Sequence, residues 1–104
     1  MEQALIVHLK LTGDQFGSSL EREAVFALED QLEELIASES AGEFDGDDFG
    51  DHECVLYMYG PDADRLFTII EPILKSSSLA KGGFAIKRYG EASDPNASEV
   101  RVTW

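Results

Sequence analysis

Apolar residues along this chain follow two different periods, and the order of those periods is the strongest constraint on the fold. In residues 4–11 every second residue is apolar, which predicts a β-strand with one buried face. In residues 20–37 apolar residues instead recur three and four positions apart, which is typical of a helix with one buried stripe. Ser18 and Glu21 have the spacing of a capping box, so the helix is predicted to begin at this point.

The middle of the chain predicts two strands and a second helix. The acidic, glycine-containing segment 39–53 is expected to form an edge strand that turns at Gly50-Asp51 into a strand over residues 54–59. A helix is expected to follow from Asp62. Pro72 lies inside the apolar pattern of that helix and has no amide hydrogen to donate, so it is expected to kink or end the regular helix.

Two further alternating segments, residues 84–89 and 99–104, are predicted to close the chain as a hairpin. The resulting order is strand, helix, strand, strand, helix, strand, with an additional strand at the carboxyl end. This is the split βαββαβ order of ferredoxin-like α+β folds, in which two helices pack on one face of a mainly antiparallel sheet. We expect residues 1–104 to form one such domain. Because many unrelated functions use this fold, it favours no particular chemistry.

Acidic residues are concentrated in one part of the sequence. Residues 21–64 hold fifteen of the twenty-one Asp and Glu residues but only one of the eight basic residues, Arg22, so this segment dominates the net charge of −13. A local imbalance of this size costs folding free energy through self-repulsion, which indicates a partner or a solubility demand. Nucleic acids and anionic membranes attract Lys and Arg, so we expect the protein to bind neither.

The acidic helix face and the acidic strand after it support a first functional hypothesis, a small interaction or regulatory protein that binds a basic protein. Nuclease inhibitors and immunity proteins paired with toxins follow this logic, since their carboxylates take the place of phosphates. A solvated surface that only keeps the protein soluble would use the same residues. The residues predicted to contact the partner are Glu29, Asp30, Glu33, Glu34, Asp45, Asp47, Asp48 and Asp51.

The sheet face away from the helices supports a second hypothesis, a ligand-sensing or dimeric regulatory domain. If the alternating leucines and valine of the first strand face the helices, basic and aromatic side chains remain on the other face. Such a face would suit a ligand or a second subunit of a homodimer, whereas the overall acidity argues against single-stranded RNA. The candidate residues are His8, Lys10, Tyr57, Lys87 and Arg101.

An uncharacterised metal-dependent enzyme is the third and least favoured hypothesis. The carboxylates of residues 45–53 suit Ca²⁺ or Mg²⁺, but Phe49 stands at a ligand position of the calcium-loop pattern. His52 and Cys54 are two residues apart, yet no further Cys or nearby His completes a tetrahedral site. Two histidines also leave few ways to build a nucleophilic triad. We therefore predict no catalytic residue, no metal site and no cofactor.

The sequence also indicates where the protein works. No basic leader followed by an apolar run appears in the first twenty residues, and no run is long enough to span a membrane. The single cysteine, Cys54, lies in an apolar run and suits a reducing compartment. We expect a cytoplasmic protein.

Three segments in the middle of the chain resemble a signature of small bacterial proteins that have no assigned activity. They are GEFDG at residues 42–46, LYMYGPDADRLF at residues 56–67 and IEPIL at residues 70–74. The resemblance implies a bacterial cytosolic origin and a compact α+β domain. It implies no catalytic residue.

Overall fold

Five strands and two α-helices follow one another in the predicted order. The computed structural model describes residues 2–104. The strands are β1 (Gln3–Lys10), β2 (Glu43–Gly50), β3 (Glu53–Gly60), β4 (Phe84–Arg88) and β5 (Glu99–Val102). The helices are α1 (Ser19–Ser38) and α2 (Ala63–Ser76), and a short 3-10 helix (Ser78–Ala80) follows α2.

The strands form one antiparallel sheet in the order β2-β3-β1-β4-β5. Helix α1 connects β1 to β2 across the intervening β3, and α2 connects β3 to β4 across β1. This arrangement is the split βαββαβ order of the ferredoxin-like fold, with β5 added at one edge. The predicted fold class is therefore confirmed, and β2 is the edge strand at the other side of the sheet.

Both helices cover the same sheet face, and the core lies between them and the sheet. The apolar residues of β1 pair across the strand boundary with those of β3, so that Leu5 lies opposite Met58 and Val7 opposite Leu56. Fully burying a side chain of this size contributes roughly 1.5–3 kcal/mol. The helices complete the core with Val25, Leu28, Leu32 and Ile36 from α1 and with Leu66, Phe67, Ile70 and Leu74 from α2.

The predicted capping box at the start of α1 is present. The amide of Glu21 donates to the Ser18 hydroxyl at 3.1 Å, and the amide of Ser18 donates to the Glu21 carboxylate at 3.0 Å. The amides of Thr12 and Gly13 also donate to this carboxylate, at 2.7 and 2.8 Å. The hydrogen bonds from Ser18 and Thr12 lower the pKa of Glu21 to about 2. Glu21 thus joins the end of β1 to the start of α1.

Helix α2 does not end at Pro72, one of the two outcomes that the sequence suggested, but continues to Ser76. Pro72 is exposed and lies near the end of the helix, where one missing backbone hydrogen bond costs little cooperativity. The buried side chains of Ile70 and Leu74 flank it and hold this part of the helix against the sheet. Tertiary packing therefore overrides the effect of proline on the local backbone.

The last strand is shorter than the alternating segment 99–104, because β5 ends at Val102. Trp104 leaves the sheet and donates its indole N–H to the carbonyl of Ala80 at 3.1 Å.

Within residues 2–104, neither helix combines the length and the apolar character needed to cross a membrane.

Candidate functional site

Helix α1 and the edge strand β2 contact each other along one border of the molecule. The rings of Phe26 on α1 and Phe49 on β2 meet edge to face, with their centroids 5.9 Å apart. Asp47 pairs with Leu56 of β3, so its side chain lies on the helix-covered face of β2. The acidic side of α1 therefore lies beside the acidic edge strand.

Glu29 is the centre of a carboxylate cluster at this border, which we call the acidic edge and define as Glu29, Asp30, Glu33 and Asp47. Only 9% of Glu29 is exposed, and its Oε2 atom is buried without a hydrogen-bond partner. Burial, a hydrogen bond with Asp47 and the negative charges of Asp47, Asp30 and Glu33 raise the pKa of Glu29 to about 8. Glu29 therefore keeps its proton at neutral pH, whereas an ordinary glutamic acid is ionised.

No basic side chain of the described residues 2–104 neutralises this cluster. The ion pairs in this part of the chain join His8 to Glu53, Lys75 to Glu71, Lys87 to Asp64 and Arg88 to Glu99. None of them includes a carboxylate that the sequence predicted to contact a partner. Arg22, the basic residue of the acidic segment, donates instead to the carbonyl of Gly17 at 2.6 Å.

The eight predicted partner-binding residues do not all lie on one side of the edge strand. Asp48 pairs with Val55 of β3 and lies on the open face, opposite to Asp47. Asp45 lies at a β-bulge between Phe44 and Gly46, near enough to Tyr59 that its charge, after burial, raises the pKa of that phenol. The remaining two are exposed, Glu34 on α1 and Asp51 in the turn between β2 and β3. Carboxylates therefore border β2 on both faces, and those of the acidic edge form the cluster.

Phe26, an exposed aromatic residue beside this cluster, was not predicted as a site residue from the sequence. Phe26 is 49% exposed, whereas Val25, Leu28, Leu32 and Ile36 of the same helix form the predicted buried stripe. Leu20, which the pattern also placed on that stripe, is 78% exposed, because it lies in the first turn of α1 beyond the edge of the core. The sequence did contain a signal for Phe26, because this residue lies outside the apolar stripe of the helix, among charged residues. Single exposed apolar side chains are common on protein surfaces, so Phe26 is informative only because it lies beside the carboxylate cluster and contacts Phe49 of β2.

Four of the five residues predicted for the open sheet face lie there, but Lys87 does not, and that prediction was wrong. Lys87 pairs with Leu5, whose side chain faces the helices. Its Nζ atom is 3.0 Å from Asp64 of α2 and 5.1 Å from the centroid of the Phe67 ring. The polar start of α2 gives a lysine an ion-pair partner on a face that is otherwise apolar, and alternation alone does not reveal this.

The open face carries a stack of side chains across three strands. The ring of His8 on β1 stacks on Phe84 of β4 with centroids 4.5 Å apart, and Arg101 of β5 lies over the same ring at 3.8 Å. His8 Nδ1 is 3.2 Å from a carboxylate oxygen of Glu53 on β3. These groups line a cavity of about 330 Å³ together with Lys10. The ring of Phe84 and the Nδ1 atom of His8 are already engaged within the protein.

No arrangement of side chains within residues 2–104 supports metal binding or thiol chemistry. Among residues 2–104 no group of three or more His, Cys, Asp or Glu side chains is placed to hold a metal ion. Cys54 is fully buried on the helix side of β3, while His52 is exposed in the preceding turn. Burial and the charges of Asp47 and Glu29 raise the pKa of the Cys54 thiol to about 12, so the sulfur stays protonated.

No protein-family model matches this chain, and neither a curated protein nor a solved structure matches it well enough to indicate a relationship. The resemblance of residues 42–74 to small bacterial proteins therefore stays a prediction. Function has to be argued from the arrangement of side chains.

Proposed function

We propose that this protein is a small interaction or regulatory protein that binds a basic protein through the acidic edge. The observation that carries the proposal is the acidic edge, where the buried Oε2 atom of Glu29 has no hydrogen-bond partner and the neighbouring carboxylates form no ion pair within residues 2–104. A glutamic acid with a pKa of about 8 lies in a cluster that needs a positive charge and receives none from its own chain. An Arg or Lys of a partner would supply that charge and would let Glu29 ionise.

Aromatic side chains beside the cluster support a protein partner over a free cation. Phe26 is half exposed, and its ring contacts the ring of Phe49, which packs against the core. Interfaces commonly combine an aromatic anchor at the centre with charged groups at the rim. A basic partner would gain both ion pairs with the carboxylates and contact of its Arg or Lys side chains with the Phe26 ring.

Strand β2 is protected against the simplest alternative, pairing with a strand of another protein. Its edge carries Glu43, Asp45, Asp47 and Asp48, and a β-bulge interrupts its register after Phe44. Charges and bulges on an edge strand oppose the addition of a further strand. The proposed partner therefore binds through side chains of α1 and β2, as nuclease inhibitors and immunity proteins do with basic enzymes.

Proton release is the signature that separates this function from a surface that only keeps the protein soluble. Between pH 4.5 and about 8 the free protein holds a proton on Glu29 that the bound form would lose. Binding should therefore release protons, and the affinity should rise with pH across that range. A merely solubilising surface has no partner that would change the protonation of Glu29.

The experiment captures a basic protein from the native host at low salt and then measures its affinity for the purified protein by calorimetry in two buffers of different ionisation heat. We expect proton release at pH 7, loss of binding as salt is added, and at least about tenfold weaker binding of the double variant Glu33→Gln/Asp47→Asn. The matched control, Glu91→Gln/Asp94→Asn, removes two carboxylates from the exposed loop before β5. Equal weakening by both variants, or binding without proton release, would contradict the proposal.

A homodimer through the open sheet face is the second candidate, and the register of the sheet favours it. Ile6 at the centre of the face lies opposite Tyr57 on one side and Ile86 on the other, which gives an apolar row across three strands. A second copy would bury this row. Sedimentation equilibrium tests it: the native protein should be dimeric and Ile6→Lys monomeric, whereas a monomeric native protein would exclude this candidate.

A further inference from the structure

Basic side chains, which the acidic edge lacks, gather around a cavity at the end of α2. The cavity has a volume of about 710 Å³ and lies between the last turn of α2, the 3-10 helix, the Gly82-Gly83 turn and the residues at the end of β5. Its lining includes Lys75, Lys81, Arg101, Ser77, Ser78 and Trp104. Cavities of about 300–1,000 Å³ are the size in which proteins bind small molecules.

The charge around this cavity differs from that of the rest of the protein. Three of the eight basic residues line it, and none of the twenty-one acidic residues does. Lys81 and Arg101 form no ion pair within residues 2–104, and the exposed Lys75 only approaches Glu71 at 4.0 Å. A positive site therefore exists in a chain with a net charge of −13. Such a site is suited to a small anion, because a long polyanion would also meet the negative remainder of the surface.

Hydroxyl groups and an aromatic wall add to the positive charge. The hydroxyl of Ser77 makes no capping hydrogen bond to the 3-10 helix that follows it, so it can donate to a ligand. The hydrogen bond from Trp104 to Ala80 fixes the indole ring at the side of the cavity. Polar donors thus stand next to an apolar surface.

We propose that this cavity binds an organic phosphate monoester. A phosphate group carries up to two charges and three acceptor oxygens, which match the Lys81 and Arg101 side chains and the serine hydroxyls. Trp104 would contact the organic part of the molecule. Gly83 lets the Trp104 ring pack closely against this turn, because a side chain there would overlap the carbonyl of His8 and crowd the ring. The site is distinct from the acidic edge and does not depend on the function proposed for it.

Trp104 is the single tryptophan of the chain, so its fluorescence reports on this cavity. The experiment titrates the full-length protein with phenyl phosphate, with inorganic phosphate and with phenol. We expect a saturable fluorescence change with phenyl phosphate, weaker binding of inorganic phosphate, and no saturable change with phenol. Arg101→Gln and Lys81→Gln should each weaken the binding of phenyl phosphate about tenfold, the loss of one charge-assisted hydrogen bond.

Arg65→Gln is the matched control, since it removes the same charge from the start of α2, where Arg65 donates to the carbonyl of Glu39. Its affinity for phenyl phosphate should equal that of the native protein. Circular dichroism identifies any variant that has lost its fold, and proton NMR titration of the native protein detects binding that leaves the fluorescence unchanged. The proposal is overturned if neither method detects saturable binding, if Arg65→Gln and Arg101→Gln weaken it equally, or if an oligonucleotide binds more tightly than phenyl phosphate.

Discussion

Burial of Glu29 on α1, together with its hydrogen bond to Asp47 on β2, raises the pKa of Glu29 to about 8. The helix and the edge strand bring together two acids that repel each other when both are ionised. Burial is the largest cause of the raised pKa, since only 9% of the residue is exposed. The contact between α1 and β2 is therefore sensitive to pH in a range where most carboxyl groups have already lost their protons.

Stability should fall as pH rises through the range set by Glu29. Its pKa is about 8 in the folded protein and 4.5 ordinarily, so between these values the folded state binds more protons than the unfolded state. The free energy of unfolding contributed by Glu29 is thus complete below pH 4.5 and lost as pH rises to about 8. Urea unfolding from pH 5 to 9 measures it.

Glu29→Gln should remove this pH dependence and stabilise the protein at pH 9 by about 1–3 kcal/mol, because the amide stays neutral and can donate to Asp47. Glu34→Gln, at an exposed position further along α1, serves as the control and should keep the slope. An unchanged slope in Glu29→Gln would show that Glu29 ionises normally.

The thiol of Cys54 should be inert in the folded protein. Its pKa of about 12 leaves almost no thiolate at pH 8, and the sulfur is fully buried. Reaction with a chromogenic disulfide reagent should be orders of magnitude slower in native buffer than in 6 M guanidinium chloride, in which the unfolded chain exposes the thiol. Rapid reaction of the native protein would mean that β3 opens or that the thiol is accessible.

Ser18→Ala should destabilise the protein by about 0.5–2 kcal/mol, because it removes the hydroxyl that accepts the Glu21 amide at the start of α1. The control is Ser98→Ala in the exposed loop before β5, which should change stability by less than about 0.5 kcal/mol. Thermal unfolding followed by circular dichroism compares the two variants. Equal melting temperatures would argue that the cap contributes nothing.

Glu21 should make folding stability depend on pH in acid. Its folded pKa of about 2 is below its ordinary value of 4.5, so its contribution is complete above pH 4.5 and is lost as pH falls toward 2. Glu21→Gln should flatten that part of the acid unfolding curve. Glu91→Gln in the exposed loop should leave it as in the native protein, and a flattening by both variants would assign the effect to net charge.

Gly60→Ala should lower the free energy of unfolding by about 1–3 kcal/mol, because the added methyl group would overlap the backbone carbonyl of Ala41. Gly50→Ala is the matched control, since no atom lies within 4 Å of the methyl group that it adds. Urea unfolding should separate the two variants clearly. Similar stabilities would mean that the segment before β2 can move away from the end of β3.

Local patterns in the sequence were enough to predict most of the backbone. Alternation identified the strands, three- and four-residue spacing identified the helices, and the spacing of Ser18 and Glu21 located the start of α1. The helix through Pro72 differed because burial of the neighbouring Ile70 and Leu74 holds the segment against the sheet. Secondary structure that depends on a few neighbouring residues can be predicted from the sequence, whereas features that depend on tertiary packing cannot.

The sequence by itself determined the order of elements, the excess of acidic residues in one segment and the acidic character of α1 and β2. Only the tertiary structure decided that Lys87 faces α2, that Glu29 and Asp47 meet, and that Lys75, Lys81 and Arg101 surround one cavity. The physical reason is that strand register and the approach of helix to sheet set distances between residues far apart in the chain. Charge, pKa and binding depend on those distances, which no local pattern contains.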